Sequence, residues 1–123
     1  MASLLSTAML EPSQRFARSD RILKRETFKR VYEQGRKFTT KYFTAFVLSN
    51  PARQTRIGIT TTRKIGSAVE RNRARRLVRE AYRRNKALVP SGLDIVVNPR
   101  RLLVEAAYGE FETDFVSFLG RLA

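Results

Sequence analysis

The sequence predicts an α+β domain built on one β-sheet, and three observations carry that expectation. Three stretches repeat their apolar residues at the helical period. Between them lie segments rich in β-branched and aromatic residues, bounded by turn residues. Within those segments the side chains alternate, giving a sheet with one apolar face and one open face of Thr, Gly and aromatic residues. A chain of 123 residues suits a single domain that can bury one modest core.

Residues 1–19 show no periodicity and mix Ser, Gln, Arg and Pro, so they are expected to form a disordered N-terminal extension to a domain over 20–123. MASLLSTAML is mildly apolar, but no basic residue precedes its apolar stretch and Glu11-Pro12 interrupts it, unlike a signal peptide. In KRETFKRVYEQG, Phe28, Val31 and Tyr32 stand at i, i+3 and i+4, and Gly35 sits where a helix ends in a left-handed residue. That is a short amphipathic first helix.

KFTTKYFTAFVLSN ends at the turn signal Asn50-Pro51 and reads as strand, either one or two broken near Thr40-Lys41. Alternation puts Phe43, Ala45 and Val47 on one face and Tyr42, Thr44, Phe46 and Leu48 on the other. RIGITTTRK is a further strand, with Ile57 and Ile59 opposed to Gly58, Thr60 and Thr62. Lys64-Ile65-Gly66 leads into a long helix that starts at the capping box Ser67 to Glu70 and runs to about Leu88, before Pro90-Ser91-Gly92 stops it. LDIVV, residues 93–97, is a buried strand closed by Asn98-Pro99. Phe111, Phe115, Phe118, Leu119 and Leu122 mark a C-terminal amphipathic helix, with a helical turn before it at LLVEAA.

Charge narrows the function. The chain holds 25 Lys and Arg against 11 Asp and Glu, so an acidic partner is expected. The excess lies in residues 1–90, because from Ser91 onward Arg100, Arg101 and Arg121 face five acids. Arg dominates over Lys, and planar guanidinium groups suit bidentate phosphate contacts and stacking on bases. Nucleic acid is favoured over a membrane surface, and no apolar run reaches the roughly 18 residues of a membrane helix.

Much of the charge sits on the long helix, RNRARRLVREAYRRNK over 71–86. At about 100° per residue, Ala74, Leu77, Val78, Ala81, Tyr82 and Leu88 form a stripe that docks on the sheet. The rest carries Asn72, Arg73, Arg75, Arg76, Arg79, Arg83, Arg84 and Lys86, with Glu80 alone to relieve them and Arg71 at the border. Arg71 to Arg75, Arg75 to Arg79 and Arg79 to Arg83 are like-charge i,i+4 neighbours, which disfavour an isolated helix. A phosphate backbone would supply the counter-charge and release its condensed cations. Asn72 adds an amide that can read a base edge or ribose hydroxyl.

Enzyme chemistry in the chain alone finds little support. There is no histidine and no cysteine, which removes the commonest general base, a thiolate nucleophile and a zinc knuckle. The lack of cysteine also fits a cytoplasmic location. Glu110, Glu112 and Asp114 form the tightest acidic group, and the N-terminus of a helix explains acids there without a metal.

KIGSAVERNRARRLVREAYR resembles the arginine-rich signature of the bacterial ribonuclease P protein subunit, with Arg71-Asn72-Arg73 as its core, and the order of the surrounding elements fits over roughly 20–120. The resemblance implies a two-layer α-β sandwich of order αβββαβα, with a four-stranded mixed sheet and a left-handed βαβ crossover carrying the basic helix. It further implies a monomeric, cytoplasmic RNA-binding subunit that performs no chemistry itself. Its RNA partner would cleave the 5′ leader from precursor tRNA with magnesium ions that the RNA requires, and the protein would bind no cofactor.

By position, the resemblance assigns Arg71, Asn72, Arg73, Arg75, Arg76, Arg79 and Arg83 to RNA binding, with Arg63 and Lys64 nearby. It assigns Phe28, Tyr32, Thr44 and Phe46 to a cleft for the single-stranded leader, although an aromatic pair at Phe28 and Tyr32 suits a core equally well. Two positions depart from the family pattern. Asn98-Pro99 stands where small and basic residues are frequent, and Ala74 is smaller than the usual branched residue and is expected to loosen packing. The rival readings are a ribosomal or DNA-compacting protein and a membrane-surface module.

Overall fold

The structure, a computed structural model, describes residues 16–122. Helix α1 spans Arg25–Gln34 and is followed by strands β1 (Arg36–Thr39), β2 (Phe43–Ser49) and β3 (Arg56–Ile59). Helix α2 spans Ala68–Arg84, strand β4 Leu93–Pro99, and helices α3 and α4 Arg101–Glu105 and Tyr108–Gly120. The four strands form one mixed sheet in the order β1-β2-β4-β3. β1 and β4 run antiparallel to β2, while β3 and β4 are parallel, so α2 is carried on a crossover between adjacent parallel strands.

Alternation along the strands produces two cores. Phe43, Ala45, Val47, Ile57, Ile95 and Val97 meet α2, α3 and α4 in the larger one, where Phe43, Phe111, Phe115 and Phe118 are fully buried. Their rings pack edge-on or tilted at centroid separations of 5.3–6.0 Å, the arrangement aromatic quadrupoles favour. On the other face α1 lies over the sheet, together with Ile22 from the segment that precedes it. Val31 and Ile22 pack on Val96, with Phe28, Tyr32, Phe46 and Leu48 half-buried around them.

Several boundaries differ from the sequence expectation for local reasons. α2 stops at Arg84 because the Asn85 backbone amide bonds to Ala81 and Tyr82 and its side chain donates to Ala81 O at 2.8 Å. Lys86–Leu88 is a separate 3-10 turn, so Leu88 leaves the docking stripe and is 54% exposed. β4 extends through Pro99, which lies opposite Phe43. Tyr42 precedes β2 rather than continuing its alternation, and packs into the larger core against Phe111. Ala74 is fully buried within the larger core.

Gly35 is not left-handed, with φ −77° and ψ 158°. A Cβ there would lie 2.5 Å from Val31 O and about as close as contact allows to the Val47 backbone, so the position needs glycine for room. Residues 1–15 of the expected extension lie outside the described residues. Residues 16–19 belong to the folded body. Phe16 packs edge-on against Tyr82 at 5.9 Å, Arg18–Asp20 is a 3-10 turn, and Gln54 Nε2 donates to Ser19 O at 2.9 Å. Asp20 is buried and paired with Lys86 at 2.6 Å, which takes Lys86 off the helical charge face.

Candidate nucleic-acid interface

The capping box expected at the start of α2 is present, since Ser67 Oγ accepts from Glu70 N at 3.2 Å and Glu70 Oε1 accepts from Ser67 N at 2.9 Å. That hydrogen bond and the Arg101 guanidinium hold the Glu70 carboxyl below its ordinary range. Ala74, Leu77, Val78, Ala81 and Tyr82 are buried against the sheet side, which turns the arginines outward. The spacing of one apolar stripe therefore fixes where the charge goes.

The arginines divide by their contacts. Arg71 donates to Gly66 O at 2.9 Å, and Arg73 donates to Val104 O and Ala106 O at 2.9 and 3.1 Å, closing the carbonyl end of α3. Arg75 bonds both Thr61 Oγ1 and Asn72 Oδ1, so the Asn72 amide oxygen is directed at its neighbour along the helix. Arg83 and Arg84 both turn to Glu80, at 2.8 Å each, and lower its carboxyl titration. Arg76 and Arg79 enter no ion pair among the described residues.

Carbonyls and amides orient a guanidinium without cancelling its charge, whereas a carboxylate does cancel it. Over Arg71 to Arg79 the contacts are of the first kind, so a positively charged ridge remains on a stiff support. Arg83, half-buried beside Glu80, stands at the far end of this ridge. Burial first, then the charges of Arg21 and Arg75, pull the Arg79 guanidinium below its ordinary value. Arg63 and Lys64 are exposed on a 3-10 turn three and four residues beyond Thr60.

On the opposite face, β2, β4 and the end of β3 set the floor beside α1. Register places Thr44 against Asn98, and the Thr60 amide bonds Val97 O at 3.0 Å, so Thr44, Asn98 and Thr60 form a polar row. Phe46, Val96 and Gly58 form the next row. From α1, the Tyr32 hydroxyl donates to Asn98 Oδ1 at 2.8 Å and contacts Thr60 Oγ1 at 3.0 Å, while its ring meets Phe46 edge-on at 5.0 Å. Phe28 lies over Gly58, where a Cβ would come within 2.6 Å of the ring.

Phe28, Tyr32, Thr44 and Phe46 are thus brought together, all half-buried, and the question left open at Phe28 and Tyr32 resolves as a small apolar cluster with one exposed side. An open cavity of about 390 Å³ adjoins it, lined by Leu23, Arg25, Phe28, Tyr32 and Thr60. Lys37 adds a cation 6.0 Å from the Phe46 ring. Asn98 faces the same cleft, although an Asn-Pro pair after an apolar strand signals only a turn. Only the register with Thr44 and the bond from Tyr32 reveal it.

A larger cavity, about 560 Å³, opens on the other flank of α1 between Arg30, Gln34, Leu48, Asn50, Arg56 and Asp94. Arg56 is neutralised there, because buried Asp94 accepts from its Nε and Nη2 at 3.0 and 2.9 Å and from Asn50 Nδ2 at 2.9 Å. Among the described residues no three His, Cys, Asp or Glu side chains converge as a metal site, and Glu112 is occupied by Asn85 and Tyr108. Among the described residues no helix is long and apolar enough to cross a membrane.

A mixed sheet with an uncancelled arginine ridge on one side and an aromatic, hydroxyl-lined cleft on the other defines a protein built to meet a nucleic-acid chain. The Ribonuclease P family model matches residues 16–123, and the chain belongs to that family. The ribonuclease P protein component of Thermotoga maritima is 40% identical over 97 residues, 79% of this chain and 80% of that protein. That of Syntrophus aciditrophicus is 44% identical over 80 residues, covering 65% and 67%. Among solved structures, the RNase P protein from Thermotoga maritima aligns with a TM-score of 0.76 at 34% identity, over 82% of this chain and 96% of that one. The Staphylococcus aureus RNase P protein aligns at 0.74 and 25% identity, over 84% and 94%.

Proposed function

We propose that this chain is the RNA-binding protein subunit of a ribonuclease P and assists its catalytic RNA in removing the 5′ leader from precursor tRNA. The observation that carries the reading is the α2 ridge, where Arg71, Arg73 and Arg75 are oriented by carbonyl and amide oxygens and keep their charge. A folded RNA supplies the missing anions, and release of its condensed cations drives assembly. Asn72 and Arg76 lie on the same exposed surface, and Arg83, Arg63 and Lys64 flank it.

The cleft is the seat of the unpaired leader. Bases stack on Tyr32 and Phe46, which accept any base through its π face, while Phe28 closes one side and Thr44 offers a hydroxyl to ribose. In this reading bond cleavage belongs to the RNA together with the magnesium it binds, and the protein contributes affinity and charge screening. The subunit acts as a cytoplasmic monomer on the RNA and carries no cofactor of its own. The test is reconstitution at low magnesium with a ribonuclease P RNA and a precursor tRNA. Addition of the protein restores leader removal, and an RNA that stays inactive at every protein concentration refutes the proposal.

A further inference from the structure

We infer that Arg21 and Arg79 form a seat for one phosphate of an RNA chain at the free edge of β3, joining the α2 ridge to the α1 cleft. This inference rests on the RNA-binding reading above. β3 is an outer strand of the sheet, and its free side is partly covered by the segment leading into α1, where Ile22 N donates to Ile57 O at 3.0 Å. Beside that contact is a cavity of about 120 Å³ lined by Phe16, Arg21, Ile22, Phe28, Gly58 and Arg79, among others. Phe28 belongs to the cleft and Arg79 to the ridge, so this hollow is where the two surfaces meet.

The two cations are arranged for an anion they do not have. The Arg21 guanidinium carbon lies over the Phe16 ring, 5.2 Å from its centroid, a cation–π contact that holds the side chain without cancelling its charge. Phe16 is in turn held by Tyr82 of α2, so Arg21 is tied to the same helix that presents Arg79. No ion pair among the described residues involves either arginine, and the nearest acid in sequence, Asp20, is committed to Lys86. Two like charges converge on a partly desolvated hollow, with apolar walls that strengthen their field. A tetrahedral phosphate between them accepts from both guanidinium groups and removes the repulsion.

The test uses the full chain with Arg21→Gln and Arg79→Gln, and Lys41→Gln as a control for lost charge. Inorganic phosphate, titrated at constant ionic strength, raises the thermal midpoint of the unaltered protein and of the control, and both arginine variants lose most of that rise. In RNA binding, Arg21→Gln weakens affinity about tenfold and lowers the log–log salt slope by about one, as expected for one charge-assisted phosphate contact. Loss with the catalytic RNA alone assigns the phosphate to that RNA, and loss seen only with leader-bearing precursor assigns it to the leader. Equal phosphate-induced rises in all four proteins, or unchanged affinity and slope in Arg21→Gln with both RNAs, overturn the seat. If the unaltered protein binds no ribonuclease P RNA, the functional reading fails, and the phosphate titration still decides the seat.

Discussion

The Tyr32 hydroxyl of α1 donates to the Asn98 amide oxygen of β4 at 2.8 Å, across the mouth of the cleft. This bond fixes which way the amide faces and also anchors α1 on that side of the sheet. Tyr32→Phe removes it with little change in shape. The expected cost is about 1 kcal/mol of unfolding free energy, read by denaturant titration. Affinity for leader-bearing precursor falls several-fold, while affinity for mature tRNA holds. An unchanged precursor affinity removes Tyr32 and Asn98 from leader recognition.

Phe46 should separate substrate from product. Phe46→Ala removes a stacking surface worth about 1–3 kcal/mol per base, and Phe46 is only half-buried. Binding of precursor tRNA weakens by tenfold or more, and binding of mature tRNA is almost unaffected. Equal losses for both would rule out a leader cleft at this position.

Gly58→Ala tests the same cleft from its floor. The added methyl meets Phe28 ring atoms at 2.5 and 2.6 Å and displaces the ring. Stability drops by about 1–3 kcal/mol through overpacking, and precursor affinity drops with it. A ring that stays in place, judged from its NMR shifts, would contradict the contact.

Arg73 and Arg76 should differ although both are exposed arginines on α2. Arg73→Ala frees the carbonyls of Val104 and Ala106, costing about 1 kcal/mol of stability, and also weakens assembly with the catalytic RNA. Arg76→Ala weakens assembly without shifting the thermal midpoint. Identical stability effects would show that the Arg73 contacts carry no weight.

Glu80 gives a pH signature. Hydrogen bonds and charge from Arg83 and Arg84 hold its carboxyl below the ordinary value of 4.5 in the folded chain. A carboxyl depressed on folding stabilises above its unfolded titration range, and that contribution is lost as pH falls through the folded value. Glu80→Gln therefore lowers stability at pH 7, and the difference from the unaltered protein narrows as pH drops below about 4. A gap that stays constant down to pH 2 would exclude the ion pairs as its source.

Local pattern carried much of this architecture. Apolar periodicity placed α1, α2 and α4, the capping box marked the start of α2, and alternation sorted Phe43, Ala45 and Val47 from Thr44 and Phe46. Ends were less legible because they depend on single side chains. Asn85 turns its amide back onto Ala81 and stops α2 before Leu88, a hydrogen bond that no period announces. Phe16 read as tail because its partner Tyr82 lies 66 positions away.

The linear code settled the sign, amount and helical phase of the charge, since one apolar stripe leaves the arginines a single way to face. Folding decided how each of them is used. Backbone oxygens from α3 reach Arg73, Glu80 gathers Arg83 and Arg84, and Arg21 comes beside Arg79 across the edge of the sheet. The Glu80 pairs follow the helical repeat at i,i+3 and i,i+4, whereas the contacts of Arg73 and Arg21 join residues whose separation along the chain bears no relation to their separation in space. Periodicity records a residue's orientation within its own element, and strand register with helix docking sets what it touches.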